Sequence, residues 1–182
     1  MVNIHKFKLT KLQQEILRLL FIRAGSQLNQ RQIANAIKVS QPAIMKAIPY
    51  LEKENIISIN KDKESNRWAI ELNKNNNLIK QLKRVDNLKQ IYETGLVDFL
   101  EEKFAGGIII LFGSYSRGED LINSNIDIAI VGRKDKQLDL EEYEKILSRE
   151  ININFYNSFK EINKNLKENL CNGIVLIGGI EL

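Results

Sequence analysis

The sequence has one cysteine and one histidine in 182 residues. A single cysteine excludes an internal disulfide and any zinc site built from a cysteine cluster. Cys171 falls in a helical pattern, so we expect it to be a small core residue. His5 lies near the start of the chain, where we expect a mobile terminus and therefore neither a metal ligand nor a catalytic base.

Long apolar runs are also lacking. No run approaches the roughly 18 residues of a membrane span, and the first residues show no apolar signal region. Hydrophobic residues make up 43% of the chain, which is enough at this length for one medium domain or two small ones. We therefore expect a cytoplasmic protein with no membrane partner.

The formal net charge of +4 is unevenly distributed. Residues 1–74 hold 13 Lys and Arg against 6 Asp and Glu, whereas the remainder holds 14 against 17, so the two parts carry +7 and −3. This change of sign favours an anionic partner for the first part. A solvated surface is the alternative explanation of the basic excess.

The basic part begins with three amphipathic patterns. Apolar spacing predicts a helix over 11–22, a second after the capping pair Asn29 and Gln32, and a third after Ser40. Pro49 lies inside the third helix, where a proline removes a hydrogen bond and should kink the chain. Three short helices are therefore expected before any strand.

Two strand patterns follow, over 56–59 and 67–72, and a polar tip between them predicts a hairpin. Three helices and a hairpin, with RQIANAIKVSQPAIMKAIPYLEKENII across residues 31–57, resemble the winged helix-turn-helix of transcription regulators. The resemblance implies a double-stranded DNA partner, with the third helix in the major groove and the hairpin as the wing. The implied contacts are Gln41, Ala43 and Lys46 on the helix and Lys61, Lys63 and Arg67 on the wing. A winged helix used only for protein contacts is the alternative, and the basic wing argues against it.

The segment after the hairpin carries a second kind of pattern. Its apolar stripe of helical spacing ends at Gly95 and consists of Leu78, Leu82, Val85, Leu88 and Tyr92. The stripe can pack on its own domain or pair with the same helix of a second subunit. A homodimer would fit a palindromic DNA site.

Residues 108–132, IIILFGSYSRGEDLINSNIDIAIVG, contain two apolar strand patterns separated by the turn Gly113-Ser114. A Gly-Ser turn at the start of a helix offers backbone N–H groups and a hydroxyl to phosphate oxygens. Side chains two residues apart on a strand share a face, so Asn125 and Asp127 should point together toward the turn. This layout is typical of a phosphate-binding site.

The pattern resembles the core motif of the minimal, stand-alone branch of the polymerase-beta-type nucleotidyltransferases: a Gly-Ser turn, Arg-Gly-Glu, then Ser-Asp-hydrophobic-Asp on a strand. The matching positions are Gly113, Ser114, Arg117, Gly118, Glu119, Ser124, Asn125, Ile126 and Asp127. The resemblance implies that Gly113, Ser114 and Arg117 bind a nucleotide, and that Asp127 is catalytic if the domain is active.

The same resemblance implies two Mg²⁺ ions held by two carboxylates on this strand and a third on a later one. Here the first position is Asn125, and the third falls on Asn152 or, less well, on Asn154. An amide offers an oxygen without charge, whereas Mg²⁺ prefers anionic oxygen ligands. Asp127 is then the one carboxylate left, with Glu150 as an imperfect substitute, and we expect weak metal binding.

The predicted fold class is α+β. A winged helix-turn-helix domain over 1–74 is followed by a connecting helix over 75–95 and a small α/β nucleotidyltransferase-fold domain with a mixed sheet over 96–182. Within this last domain, the pattern of 159–170 predicts one amphipathic helix.

Two function classes compete. The favoured one is a sequence-specific DNA-binding protein, a transcription regulator, whose nucleotidyltransferase-fold domain is catalytically impaired and binds a nucleotide or a partner. DNA binding would require no cofactor. The alternative is an active transferase that uses Mg²⁺ and a nucleoside triphosphate to move a nucleoside monophosphate onto a hydroxyl of protein, RNA or a small molecule. The loss of two charges of three disfavours it, because phosphoryl transfer depends on electrostatic stabilisation.

Overall fold

The computed structural model describes residues 8–61 and 68–180, so His5 lies outside the described residues. The chain divides into two compact units, Met1–Ile79 and Lys80–Leu182. Each unit is described by itself. In the described ranges, no helix is both long and apolar enough to cross a membrane.

The first unit has three helices followed by a hairpin. The elements are α1 (Lys11–Ile22), α2 (Gln30–Ala36), α3 (Gln41–Lys53), β1 (Ile57–Lys61) and β2 (Trp68–Leu72). The two strands are antiparallel and pair Ile59 with Ile70, and Leu28 before α2 also pairs with Ile70. Three helices and an antiparallel hairpin in this order form a winged helix-turn-helix, which confirms the predicted fold of this part.

Local signals explain the helix starts. The backbone N–H of Gln32 donates to Oδ1 of Asn29 at 2.9 Å, and that of Asn29 donates to Oε1 of Gln32 at 2.8 Å, which confirms the predicted capping box. Ser40 occupies the N-cap of α3 without a side-chain hydrogen bond. α3 continues past Pro49 to Lys53, and Pro49 is exposed, so water can bond the carbonyl that lost its donor.

The core of the first unit consists of apolar side chains from all its elements. Those with almost no exposed surface are Ile16, Leu20, Ile33, Ile44, Ile48, Leu51, Ile56 and Ile70. They recur at helical spacing on α1 and α3, so each helix buries one stripe and leaves the opposite face in solvent.

The second unit holds most of α4 (Asn77–Glu93) and a four-stranded mixed sheet. Its other elements are α5 (Leu96–Lys103), β3 (Ile108–Phe112), α6 (Gly113–Arg117), β4 (Ile126–Val131), α7 (Glu141–Leu147), β5 (Ile151–Tyr156), a 3-10 turn (Phe159–Glu161), α8 (Lys164–Cys171) and β6 (Ile174–Ile177). The strand order is β5-β4-β3-β6, with β4 and β5 parallel and the other pairs antiparallel. The predicted α+β class with a mixed sheet is confirmed.

Both faces of this sheet are covered. On β4, Ile128 and Ile130 pack in the cluster that contains Leu96 and Leu100 of α5. Ala129 faces the opposite way, into a second cluster with Phe159, Ile162 and Leu170. Alternate side chains of a strand point to opposite faces, so β4 is buried on both faces except at the half-buried Asp127 near its start.

Two expectations for the end of the chain are wrong. Residues 159–170 do not form one helix, because Ile162 is extended and the side chain of Asn163 accepts a hydrogen bond from Leu166 N at 3.0 Å to start α8. Cys171 is exposed rather than in the core. The same side-chain spacing is available to a broken helix, so periodicity alone did not reveal the break.

The inward face of α4 also differs from the predicted stripe. Lys83, Asn87 and Ile91 are buried at a spacing of four residues. Val85 and Tyr92 of the stripe are 65% and 48% exposed. The stripe therefore does not pack on its own domain as a whole, and two of its apolar side chains face solvent.

Candidate functional site

Strand pairing brings the Gly-Ser turn to the start of β4. The antiparallel register pairs Phe112, the last residue of β3, with Asp127. Gly113 follows with a φ of +76°, and a Cβ added there would lie 2.5 Å from Oδ2 of Asp127. A glycine is therefore required at this position both by the backbone conformation and by the approach of the carboxylate.

The turn itself is held by hydrogen bonds. Ser116 Oγ donates to the carbonyl of Gly113 at 2.9 Å, and the N–H of Glu119 donates to the carbonyl of Ser114 at 2.9 Å. Ser114 is half-buried beside Gly113. The predicted phosphate-binding residues Gly113 and Ser114 thus lie together next to Asp127, and their contact with a nucleotide stays a prediction.

The guanidinium of Arg117 pairs with the carboxylate of Glu119. Its Nε donates to Oε2 of Glu119 at 2.7 Å, and Lys80 pairs with the same carboxylate. The hydrogen bond from Lys80 and then that from Arg117 hold the pKa of Glu119 below its ordinary value. A nucleotide bound by Arg117 would compete with Glu119 for the guanidinium.

Two of the three candidate metal positions, Asp127 and Asn152, meet across neighbouring strands. The parallel register pairs Asp127 with Asn152, and Nδ2 of Asn152 donates to Oδ1 of Asp127 at 3.3 Å. Asn125 is half-buried just before β4. Asn154 pairs with Ala129 instead, so the register selects Asn152 over Asn154 as the third position. Glu150 is exposed ahead of β5.

These residues do not fit a two-magnesium site. One carboxylate and two amides leave a single negative charge where two cations would have to be held. The amide of Asn152 also presents its N–H group, not an oxygen, to the carboxylate of Asp127. Within residues 8–61 and 68–180, no three His, Cys, Asp or Glu side chains are grouped as a metal site. No chemical step is therefore assigned to a metal here.

A buried charged cluster lies in the same unit, and the sequence patterns missed it. Lys83 and Asp120 are 2% and 1% exposed, and Lys83 Nζ lies 2.7 Å from Oδ1 of Asp120. Arg149 contacts Oδ2 of Asp120 at 3.3 Å, and Asn87 donates to Oδ1 at 2.7 Å and to the carbonyl of Tyr115 at 2.9 Å. The cluster joins α4 to the segment after α6 and to the residues before β5.

The cluster contacts α6 through the hydrogen bond from Asn87 to the carbonyl of Tyr115. Burial lowers the pKa of Lys83, an effect that the Asp120 carboxylate partly opposes. Breaking such a buried pair is costly because the remaining charge stays in a medium of low dielectric. A usable sequence signal was the spacing of Lys83 and Asn87, which continues the four-residue repeat from Ile79 to Ile91.

In the first unit, the exposed side of α3 differs slightly from the prediction. Gln41 and Lys46 are exposed, whereas Ala43 is half-buried. Met45 is 48% exposed and was not predicted; it lies one turn after Gln41 on the same side of the helix. Lys61 is exposed at the end of β1.

Lys61 is the one predicted wing contact within the described residues. Lys63 and Arg67 lie outside the described residues. Next to α3, a polar cleft of about 640 Å³ is lined by Asn29, Gln30, Arg31, Gln32, Asn35, Gln41, Met45 and Trp68. The described surface of this unit thus offers amides, a methionine and cations at the start of α3.

The comparisons with known proteins concern both units. The family model of the nucleotidyltransferase domain matches residues 93–176. No curated protein matches the sequence. Among solved structures, the adhesin competence repressor AdcR from Streptococcus pyogenes is similar with a TM-score of 0.42 and 28% identity, over 57% of this chain and 72% of that one.

Two further structures show the range of similarity. The S. aureus MepR-DNA complex has a TM-score of 0.38 and 21% identity, over 52% of this chain and 81% of that one. Lactococcus lactis ZitR, solved as a cysteine-to-serine mutant, has a TM-score of 0.40 and 21% identity, over 56% of this chain and 66% of that one. The first unit is a winged helix by its own three helices and antiparallel hairpin. The chain therefore carries a nucleotidyltransferase domain over residues 93–176, joined to an N-terminal winged helix.

Proposed function

We propose that the protein is a sequence-specific DNA-binding protein, a transcription regulator, whose nucleotidyltransferase domain is catalytically impaired. The observation that carries the proposal is the exposed side of α3, which presents Gln41 and Lys46 on a unit whose first 74 residues have a charge of +7. A helix with a polar, basic outer side fits the major groove, and the charge draws it to phosphates.

The impairment is inferred from the pair Asp127 and Asn152. Transfer of a nucleoside monophosphate requires cations that join the attacking and leaving oxygens. The amide of Asn152 donates to the carboxylate that would bind them, and Asn125 adds no charge. Gly113, Ser114 and Arg117 remain as a site that binds a nucleotide without transferring it.

DNA binding is tested by fluorescence anisotropy of labelled duplexes with the full chain at several salt concentrations. We expect the logarithm of affinity to fall linearly with the logarithm of salt concentration. Neutralising Lys61, Lys63 and Arg67 should weaken binding and flatten this slope. Unchanged affinity and slope would remove the wing from the DNA contact, and no binding of any duplex would overturn the function.

Impairment is tested with alpha-labelled nucleoside triphosphates and Mg²⁺ or Mn²⁺, using the protein itself and a cell extract as acceptors. We expect the unaltered protein to transfer no label to itself or to the extract. The double variant Asn125→Asp/Asn152→Asp is the comparison, because it restores both carboxylates to the same backbone. Label transferred by the natural protein would instead support the active transferase, with Asp127 as the first residue to replace.

Nucleotide binding is a separate measurement. Calorimetry should detect a nucleoside triphosphate that binds without transfer, and Ser114→Ala should weaken it by removing one hydroxyl donor. If calorimetry detects no heat of nucleotide binding with or without Mg²⁺, the domain serves as a scaffold or contact surface instead.

A further inference from the structure

We infer that α3 selects A·T base pairs in the major groove, an inference that rests on the proposed DNA binding. Its exposed side, here called the reading face, consists of Gln41, Pro42, Met45, Lys46 and Pro49, which are all exposed. These residues recur at the spacing of one helix face. Gln41 and Met45 supply the chemistry of an adenine and thymine reader.

Gln41 supplies the polar contact. It is the first residue of α3, and the first residues of a recognition helix are the ones that reach base edges. A glutamine amide offers one donor and one acceptor, which match N7 and N6 of adenine in a bidentate pair. Guanine presents two acceptors at that edge and rejects the amide oxygen.

Met45 supplies the apolar contact. It lies one turn after Gln41 and is 48% exposed, so its thioether side chain is accessible on the reading face. The thymine methyl group is the one apolar group that the major groove presents. Pro42 extends the same apolar strip.

The reading face contains no arginine, and its one cation, Lys46, is assigned to a phosphate; lysine is also a guanine reader, which the Lys46→Gln variant below tests. Arg31 and Asn35 lie outside it, on α2, where they line the adjoining cleft with Trp68 of β2. The cleft therefore places a cation and a second amide at the side of the reading face, suited to the phosphate and sugar edge of the groove.

The length of the reading face limits the number of base pairs that α3 can contact. Eight residues separate Gln41 from Pro49, which at about 1.5 Å per residue is roughly 12 Å, or about three to four base pairs at ~3.4 Å each. Pro49 offers no side-chain donor or acceptor at the far end. Each protein copy is expected to select a short A·T block.

The first experiment is selection of duplexes from a randomised library by the full chain, followed by anisotropy on the selected sequence. Two chemically altered duplexes then test each contact. Replacing adenine by 7-deazaadenine removes the N7 acceptor, and replacing thymine by deoxyuridine removes the methyl group. We expect the first to weaken binding by about 5-fold or more and the second by about 4-fold.

The assignment predicts which variant abolishes which sensitivity. Gln41→Ala should bind adenine and 7-deazaadenine duplexes equally, and Met45→Ala should bind thymine and deoxyuridine duplexes equally. Gln81→Ala, an exposed amide on α4 of the second unit, should keep both sensitivities. Thermal melting of each variant checks that it is folded.

Three other outcomes would each overturn a part of the proposal. Equal affinity for A·T-rich and G·C-rich duplexes overturns the A·T inference and leaves DNA binding intact. A guanine preference that Lys46→Gln abolishes overturns it in favour of guanine reading by Lys46. No binding of any duplex overturns the proposed function together with the inference.

Discussion

Nδ2 of Asn152 lies 3.3 Å from Oδ1 of Asp127, across two parallel strands whose register places the residues side by side. Replacing this amide by a carboxylate should put two like charges together. We expect Asn152→Asp to lower the free energy of unfolding by about 1 to 2 kcal/mol at neutral pH, because one carboxyl group must be protonated or repelled. Added Mg²⁺ should restore stability by joining the two carboxylates.

The matched control for that change is Asn154→Asp. Asn154 lies two residues further along the same strand face and pairs with Ala129, so its carboxylate meets no acid across the strands. Thermal melting with and without Mg²⁺ measures both variants. Equal melting shifts, or no rescue of Asn152→Asp by Mg²⁺, would contradict the assigned geometry.

Asp120→Asn should be among the most destabilising single changes in the second unit. It removes the Asp120 carboxylate that pairs with the buried Lys83 and also contacts Arg149, at an expected cost of about 3 to 5 kcal/mol. Glu93→Gln is the control, because it breaks the exposed pair with Lys89 on the same helix and should cost less than about 1 kcal/mol. Urea unfolding compares the two, and similar costs would contradict a structural role for the buried cluster.

Glu119 predicts a pH dependence whose sign follows from its lowered pKa. The folded pKa lies below the ordinary value of 4.5, so the carboxylate stabilises the fold above pH 4.5, and this contribution is lost as pH falls through the folded pKa. The stability difference between the natural protein and Glu119→Gln should therefore close in acid. The pair is partly exposed, so the difference should stay within about 1 kcal/mol and shrink in salt.

Thermal melting of both proteins between pH 7 and about 3, in low and high salt, checks this expectation. If the stability difference between the two proteins widens in acid, Arg117 and Lys80 do not stabilise the Glu119 carboxylate. Such a result would make Arg117 available to a phosphate at no cost.

Comparing Gly118→Ala with Gly132→Ala separates the cost of a packing clash from the cost of backbone strain. Gly118 has a φ of +70°, and an added Cβ would lie 2.7 Å from the backbone N of Arg84, so the cost combines strain with a backbone clash. Gly132→Ala has a similar φ of +80° and nothing within 4 Å, so it should cost only about 1 to 2 kcal/mol. Chemical denaturation should find Gly118→Ala clearly the worse; equal costs would mean that α6 can move away from α4.

The homodimer that the α4 stripe allows predicts that the exposed apolar residues Val85 and Tyr92 lie at the subunit interface. Val85→Asp should give a monomer, because it places a charge in an apolar contact. Arg84→Asp, at an exposed neighbouring position, is the control and should keep the dimer. Light scattering after size exclusion measures the mass, and a monomeric natural protein at all concentrations would overturn the dimer.

Local sequence signals determined much of the fold. Capping residues and apolar spacing located α1 over Lys11–Ile22 and the capping box of Asn29 and Gln32. These signals act over a few residues, and the energies that place a helix start are local. Periodicity was less informative for 159–170, where a broken helix and a continuous one bury the same side chains.

Tertiary structure decided the contacts between distant residues. Strand register chose Asn152 over Asn154 as the partner of Asp127, and a shift of one residue would have turned every side chain of β5 to the other face. Lys83 and Asn87 are the inward residues of α4 because Asp120, from the segment after α6, pairs with both of them and with Arg149. By itself, the sequence determined which chemical groups the site contains. Only the fold, through pairing and burial over long separations in the chain, determined which of those groups meet.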